Sequence, residues 1–262
     1  MRQQSTRWVG VIVVLALGVA MLGGPPASGS VTTGRRPSGT ITVSAAASLT
    51  EAFTRIKERF ERRYRGATVT YNFGSSSALV NQIQGGAPVD VFASADLTNM
   101  DELVAGGQVT ASPTTFARNA MAIAVKPGNP QRVQSVADLA RVGTVALCGA
   151  TVPCGVYAAG VLRKTGVSLP ESHVTRGADA KATLAAVAQG DADAAVVYVT
   201  DVEAAGTTVA GVSIPDDQNV VAVYPIAPIA GGDNPKLAKA FVEFVASPAG
   251  SRTLERYGFL AP

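Results

Sequence analysis

Strands alternating with helices mark this chain as an α/β protein with a parallel-type sheet. Two observations carry that reading. Short β-branched and aromatic runs, Ile41-Thr42-Val43 and Thr68-Val69-Thr70-Tyr71-Asn72-Phe73, are each followed within a few residues by a helical pattern. The helical patterns close on glycine, at Gly66, Gly85-Gly86, Gly106-Gly107, Gly166 and Gly190. Composition agrees: 47% of 262 residues are hydrophobic and 16% charged, enough for a packed core, and an aromatic content of 6% makes that core one of small side chains.

The elements follow in order. Leu49, Phe53, Ile56, Phe60 and Tyr64 form one apolar stripe, which predicts a helix from about Leu49 to Arg65. The charged residues between them form its solvated face. A short helix is expected over 78–84. Val89 to Ala93 reads as a strand, and Asp96 as the cap of a helix through Leu103. Met121 to Val125 is an apolar strand stopped by Pro127. A short helix over 136–140, a strand over 144–147 and helices over 155–165 and 178–189 come next. Strands are expected over 194–199 and 220–223. Asn234-Pro235 opens a further helix that stops before Pro248, and a short last helix precedes Tyr257-Gly258-Phe259.

The first 29 residues read as a secretory signal peptide: Arg2 and Arg7, then the apolar run Val9 to Leu22, then Gly24-Pro25-Pro26-Ala27-Ser28-Gly29. The run is short for a membrane span, and an uncleaved anchor is the other reading. No Cys lies near the processing region, so there is no lipid-attachment site. Residues 30–39 read as a flexible tether. Removing residues 1–29 takes two arginines and no acid, so the net charge falls from +3 to +1. The apparent basicity belongs to the leader, and a nucleic-acid partner has no support. The only tryptophan, Trp8, leaves with it.

Two loops share one local grammar. The first strand runs into Ala45-Ala46-Ala47-Ser48-Leu49-Thr50, and the second into Gly74-Ser75-Ser76-Ser77. Each places small hydroxyl residues where a helix opens. Helix N-termini offer unpaired N–H groups and the positive end of the macrodipole, so these loops suit a small anion held by neutral donors. Ser48-Leu49-Thr50-Glu51 also has the form of a capping box, which leaves Ser48 with a structural reading beside the ligand one. No Gly-x-Gly-x-x-Gly and no P-loop lysine motif is present, so a nucleotide is not indicated. Cys148 and Cys154 sit close together in a chain expected to be exported, which favours a disulfide over two free thiols. The chain-entropy gain of so short a loop is about 2 kcal/mol, so its expected role is to fix the loop's shape.

The segments Ala45 to Thr50, Phe73-Gly74-Ser75-Ser76-Ser77-Ala78-Leu79 and Gly86-Ala87-Pro88-Val89-Asp90-Val91-Phe92-Ala93-Ser94-Ala95-Asp96 resemble the molybdate-binding proteins of ABC transporters. The resemblance continues through Val152-Pro153-Cys154-Gly155-Val156-Tyr157-Ala158, Val197-Tyr198 and Arg256-Tyr257-Gly258-Phe259, in the same order. It implies a two-lobed periplasmic-binding-protein fold of type II topology, with the ligand in the cleft. The first lobe would be residues 40–120 plus 225–262 and the second 121–224, with hinge crossings near Ala120 and Tyr224.

The resemblance also implies a donor set: Ser48 and Ser76 through hydroxyl and N–H, Cys154 and Ala180 through backbone N–H, and Tyr198 through its phenol. Ala is commoner at the Cys154 position and Val at the Ala180 position, changes that backbone donors tolerate. The metal enters only as the oxyanion, at these same residues, and no cofactor is implied. The expected partners are a small oxyanion, molybdate or tungstate, and the membrane permease of an ABC transporter. The expected protein is a non-enzymatic monomer, exported to a periplasm or cell surface. A donor-only set rejects protonated phosphate because one ligand proton is left unpaired, and sulfate must be excluded by size. Asp179, the one acid close by, is expected to point away. The alternatives are a sulfate or other oxyanion receptor and, remotely, a secreted serine hydrolase. The latter would need His173, and no Gly-x-Ser-x-Gly is present.

Overall fold

The computed structural model describes residues 36–262, with Thr6 and residues 8–10. The expected signal peptide and most of the tether lie outside the described residues. Residues 36–262 form one unit. No helix of the described residues is long and apolar enough to cross a membrane.

The chain begins with strand β1 (Gly39–Ala46), a 3-10 turn (Ala47–Leu49) and helix α1 (Thr50–Arg63). Next come β2 (Ala67–Gly74), α2 (Ser76–Gln84), β3 (Val91–Ala93) and α3 (Leu97–Ala105). The expected apolar stripe of α1 is buried through Phe53, Ile56 and Phe60. Phe60 and Phe53 meet Phe241 edge-on, with ring centroids 5.2 and 6.1 Å apart. Gly66, at φ +87°, turns the chain from α1 into β2 in a conformation that disfavours a side chain.

A long strand, β4 (Thr114–Val125), leads through a 3-10 turn (Val136–Arg141) to β5 (Val145–Cys148) and α4 (Pro153–Thr165). Then follow β6 (Val174–Gly177), α5 (Ala180–Ala188), β7 (Ala194–Tyr198), α6 (Val199–Ala205) and β8 (Ala210–Ser213). The chain returns through β9 (Val221–Pro228) and ends with α7 (Pro235–Val245) and α8 (Pro248–Glu255).

The strands run in the order β2-β1-β3-β9-β4-β7-β5-β6, with β8 also on β4. The flanks are parallel as expected: β1 with β2 and β3, and β5 with β6 and β7. The centre is antiparallel. β9 opposes β3, residues 114–120 of β4 oppose β9, and residues 121–125 oppose β7 and β8. One strand therefore belongs to two sheets and changes allegiance between Ala120 and Met121. Asn219 clamps that point: its Oδ1 accepts from Met121 N at 3.0 Å and its Nδ2 donates to Met121 O at 2.8 Å.

Four expectations are corrected. β4 is longer than the apolar run Met121–Val125 because polar residues such as Arg118 and Asn119 continue its ladder, and β9 runs past Val223 because residues 226–228 pair with β3. β6, α6 and β8 carried no periodic signal at their lengths. α4 begins at Pro153 rather than Gly155, since proline at the first helical position needs no partner for its nitrogen. The capping box at Ser48 does not form. The 3-10 turn Ala47–Leu49 intervenes, so α1 has no side-chain cap, and Thr50 Oγ1 donates back to Ala47 O at 2.7 Å.

Candidate functional site

A small chamber lies where the carboxyl ends of the strands meet. It is lined by residues 46–48 after β1, 74–76 after β2, Ala95 after β3, 152–154 after β5, 179–180 after β6, and Tyr198 at the end of β7. This is where open α/β sheets place ligands. The free space inside is about 10 Å³, about what one water needs. All five residues expected to bind, Ser48, Ser76, Cys154, Ala180 and Tyr198, line it, and each is at most 4% exposed.

The backbone donors come from first turns of helices. Ser75 is the N-cap of α2, and its hydroxyl accepts from Ala78 N at 3.3 Å, which leaves the N–H groups of Ser76 and Ser77 without a helical acceptor. Val152, the N-cap of α4, offers no side-chain acceptor, so the Cys154 N–H is free of the cap. Asp179 caps α5, and its Oδ1 accepts from Ala182 N at 2.9 Å rather than from Ala180 N. Three helix N-termini thus face one chamber with unpaired N–H groups.

Cys148 and Cys154 are bonded, and their bridge spans β5 and the first turn of α4. The loop between them packs tightly on that helix. A Cβ on Gly155 would come within 2.1 Å of Gly149 O, so only glycine fits.

The hydroxyl donors are held individually. Ser76 Oγ accepts from Ala95 N at 3.0 Å, which directs its own proton elsewhere. Ser48 Oγ lies 2.9 Å from Tyr224 Oη. Tyr198 is 1% exposed, and its Oη has no hydrogen-bond partner among the described residues. Burial, with the nearby Tyr224, pushes the Tyr198 phenol well above its usual range, so it keeps its proton and can donate. Its backbone N–H donates to Asp201 Oδ2 at 3.2 Å.

Three contributors had no local signature. Tyr224 on β9 and Asn119 on β4 sit behind Ser48, and both are fully buried. Lys181 Nζ donates to both Glu51 oxygens, at 2.8 and 3.0 Å, and lies 3.5 Å from Asp201 Oδ1. Each residue comes from a different element, so no spacing in the chain relates them. Asp96 is the helix cap that was expected, bound by Asn99 N at 3.0 Å. His173 is exposed at the end of a 3-10 turn, and among the described residues its ring bonds no serine. The hydrolase geometry is not assembled.

The family of bacterial extracellular solute-binding proteins matches residues 41–260. The molybdate-binding protein ModA of Mycobacterium tuberculosis (strain ATCC 25618 / H37Rv) is 38% identical over 263 residues, covering 98% of this chain and 100% of that protein. This chain belongs to the bacterial extracellular solute-binding proteins. Its place is accordingly outside the cytoplasm. Solved structures share the fold, two of them oxyanion-binding proteins by name. The periplasmic molybdate-binding protein of Azotobacter vinelandii has a TM-score of 0.77 at 20% identity, covering 85% of this chain and 99% of that one. The sulfate-binding protein SubI of Mycobacterium tuberculosis has a TM-score of 0.76 at 20% identity, covering 84% and 86%. Fold alone thus does not separate one oxyanion from the other.

Proposed function

We propose that this protein is a receptor that binds molybdate in the chamber and delivers it to an ABC permease. The observation that carries the reading is Tyr198 Oη, a buried hydroxyl with no hydrogen-bond partner among the described residues, on a side chain that lines a chamber of helix N-termini. Such a group costs free energy until an acceptor reaches it. An unprotonated tetrahedral dianion supplies acceptors in every direction and needs none in return. The full-length likeness to molybdate-binding relatives supports molybdate over sulfate. Tungstate, close to molybdate in size and charge, is bound as well.

Ser48, Ser76 and Tyr198 donate through hydroxyls, and Cys154 and Ala180 through N–H groups. Residues 40–120 plus 225–262 form one lobe and 121–224 the other, and closure about crossings near Ala120 and Tyr224 completes the site. No reaction is catalysed, and the protein works as a monomer in a periplasm or at a cell surface.

Isothermal titration calorimetry with molybdate, tungstate, sulfate and phosphate tests this. Tight one-to-one binding of the first two, with the others silent, is expected. Preferential sulfate binding would overturn the substrate, and silence from all four would overturn the site.

A further inference from the structure

The carboxyl end of α1 concentrates positive charge that the chamber does not use. Residues 55–65 hold six basic side chains against two acids, Glu58 and Glu61. Both acids are engaged within the helix, Glu58 by Arg55 and Glu61 by Lys57 at 3.8 Å. Arg59, Arg62, Arg63 and Arg65 are left without an ion pair among the described residues. Two arginines from elsewhere join them, equally unpaired. Arg36 Nη1 donates to Arg63 O at 2.6 Å. Arg59 Nη1 donates to Thr253 Oγ1 at 2.6 Å, which holds α1 against α8 beside Arg252.

Cations in the last turn of a helix complement its dipole, which accounts for Arg62, Arg63 and Arg252 one by one. It does not account for their convergence. Arg63 and Arg252 line one groove of about 400 Å³, together with Tyr64, Phe244 and the start of α8 at Pro248 and Ala249. Glu243 is the one acid on its wall, and Lys239 lies 4.0 Å from that carboxylate. Tyr64 is half-buried, its ring stacked on Phe60 with centroids 4.5 Å apart. The chamber begins at the other end of α1, a helix of 14 residues. At 1.5 Å per residue, about 20 Å separates the two.

We propose that this arginine corner is a docking surface for the anionic phospholipid headgroups of a membrane, and that it holds the protein at the bilayer with the chamber left free. Guanidinium groups match phosphate oxygens with paired N–H donors, and a half-buried tyrosine is the aromatic found at a membrane's polar boundary. Arg36, Arg62 and Arg65 are exposed around the groove, so the charge fits an array of headgroups better than one enclosed ion. Charge over the whole molecule agrees. The chain without its leader carries a net +1, so these six arginines leave the rest of it at −5, and an anionic surface turns this corner towards itself. The chain also enters the folded unit here, at Arg36.

The test is co-sedimentation of the protein without its leader, residues 30–262, with vesicles of phosphatidylcholine alone or with about one third phosphatidylglycerol. Residues 36–262 form one unit, so the leader is not needed for the fold. Wild type should bind the anionic vesicles and not the neutral ones, and less as salt rises. An arginine near such a surface contributes about fivefold in affinity. Arg63→Gln with Arg252→Gln should therefore weaken binding at least about tenfold. Neither guanidinium bonds anything among the described residues, so the fold should survive, and a thermal melt checks it. Arg132→Gln with Arg163→Gln removes the same charge from exposed sites in the other expected lobe and should leave binding unchanged.

Wild type that ignores anionic vesicles, or binds neutral ones as well, would overturn the inference. Equal losses in the two double variants would overturn it too, since net charge and not this corner would then be responsible. Displacement by inorganic phosphate at constant ionic strength would show a pocket for a single ion and overturn the assignment to a membrane. If the first variant does not fold, Arg62→Gln with Arg65→Gln replaces it under the same expectation. Molybdate is absent throughout, so the result stands apart from the receptor reading.

Discussion

Tyr198→Phe should separate binding from stability, because the hydroxyl it deletes does nothing for the protein alone. The ring is 1% exposed and packs against Tyr224 and Tyr157, with centroids 6.0 and 6.4 Å away, and those contacts survive. The lost atom is an oxygen with no partner among the described residues. A buried polar group left unsatisfied costs about 1–3 kcal/mol, so the anion-free variant should melt no lower than wild type, and higher if the chamber stays dry. The same oxygen is assigned a charge-assisted bond to the ligand. Hydrogen bonds to charged groups contribute about 1.5–3 kcal/mol, so molybdate affinity should fall by about 10- to 150-fold. Thermal melts without anion and titrations with molybdate measure the two effects independently. A variant that binds as wild type would refute the assignment of Tyr198. One that loses stability as much as affinity would show that the hydroxyl has a structural partner after all.

Two further perturbations bear on closure and on pH. The Lys181–Glu51 pair joins the two expected lobes, and both side chains are about a third exposed, at 28% and 39%. An ion pair so screened is worth about 0.2–1 kcal/mol, so Glu51→Gln should weaken molybdate binding no more than about fivefold at low salt, and less at high salt. Equal losses at all salt concentrations would show that the pair does not act through its charge. The Asp201 carboxyl is pushed up to about 6, chiefly by burial and against the pull of Lys181. A carboxyl with a folded pKa above its unfolded value of about 3.9 favours the folded state most at low pH, and that contribution is lost as pH rises towards 6. Asp201→Asn should therefore flatten the stability profile between about pH 4 and 6. A melting curve whose pH dependence is unchanged in the variant would remove Asp201 from the account.

The two serine loops were legible because they are local: a strand followed by small hydroxyl residues and a helix announces itself within ten residues. Cys154, Ala180 and Tyr198 carry no such signal and were expected only through the family resemblance. The layer behind them was not legible. Tyr224 lies in an apolar strand where a tyrosine is usually core, and Asn119 lies in a stretch too polar to read as a strand. They meet Ser48 only because β4 and β9 pair across the centre of the sheet. Ser48 itself was ambiguous for a physical reason. Ser-x-x-Glu satisfies the rule for a capping box, but the rule assumes that the helix begins at once. One 3-10 turn re-aims both side chains, Ser48 towards Tyr224 and Glu51 towards Lys181.

The pairing of β3 with β9 also governs when the molecule can form. It joins Val91 to Pro228, across more than half the chain, and a further bridge ties Arg118 to Leu260, two residues from the end. Contacts between such remote segments close late, since a long loop must be ordered before they reward it. The first sheet therefore stays incomplete until nearly the last residue is available. For an extracellular solute-binding protein that delay is useful. A chain that has not yet closed this sheet has less ordered structure to undo before it leaves the cytoplasm.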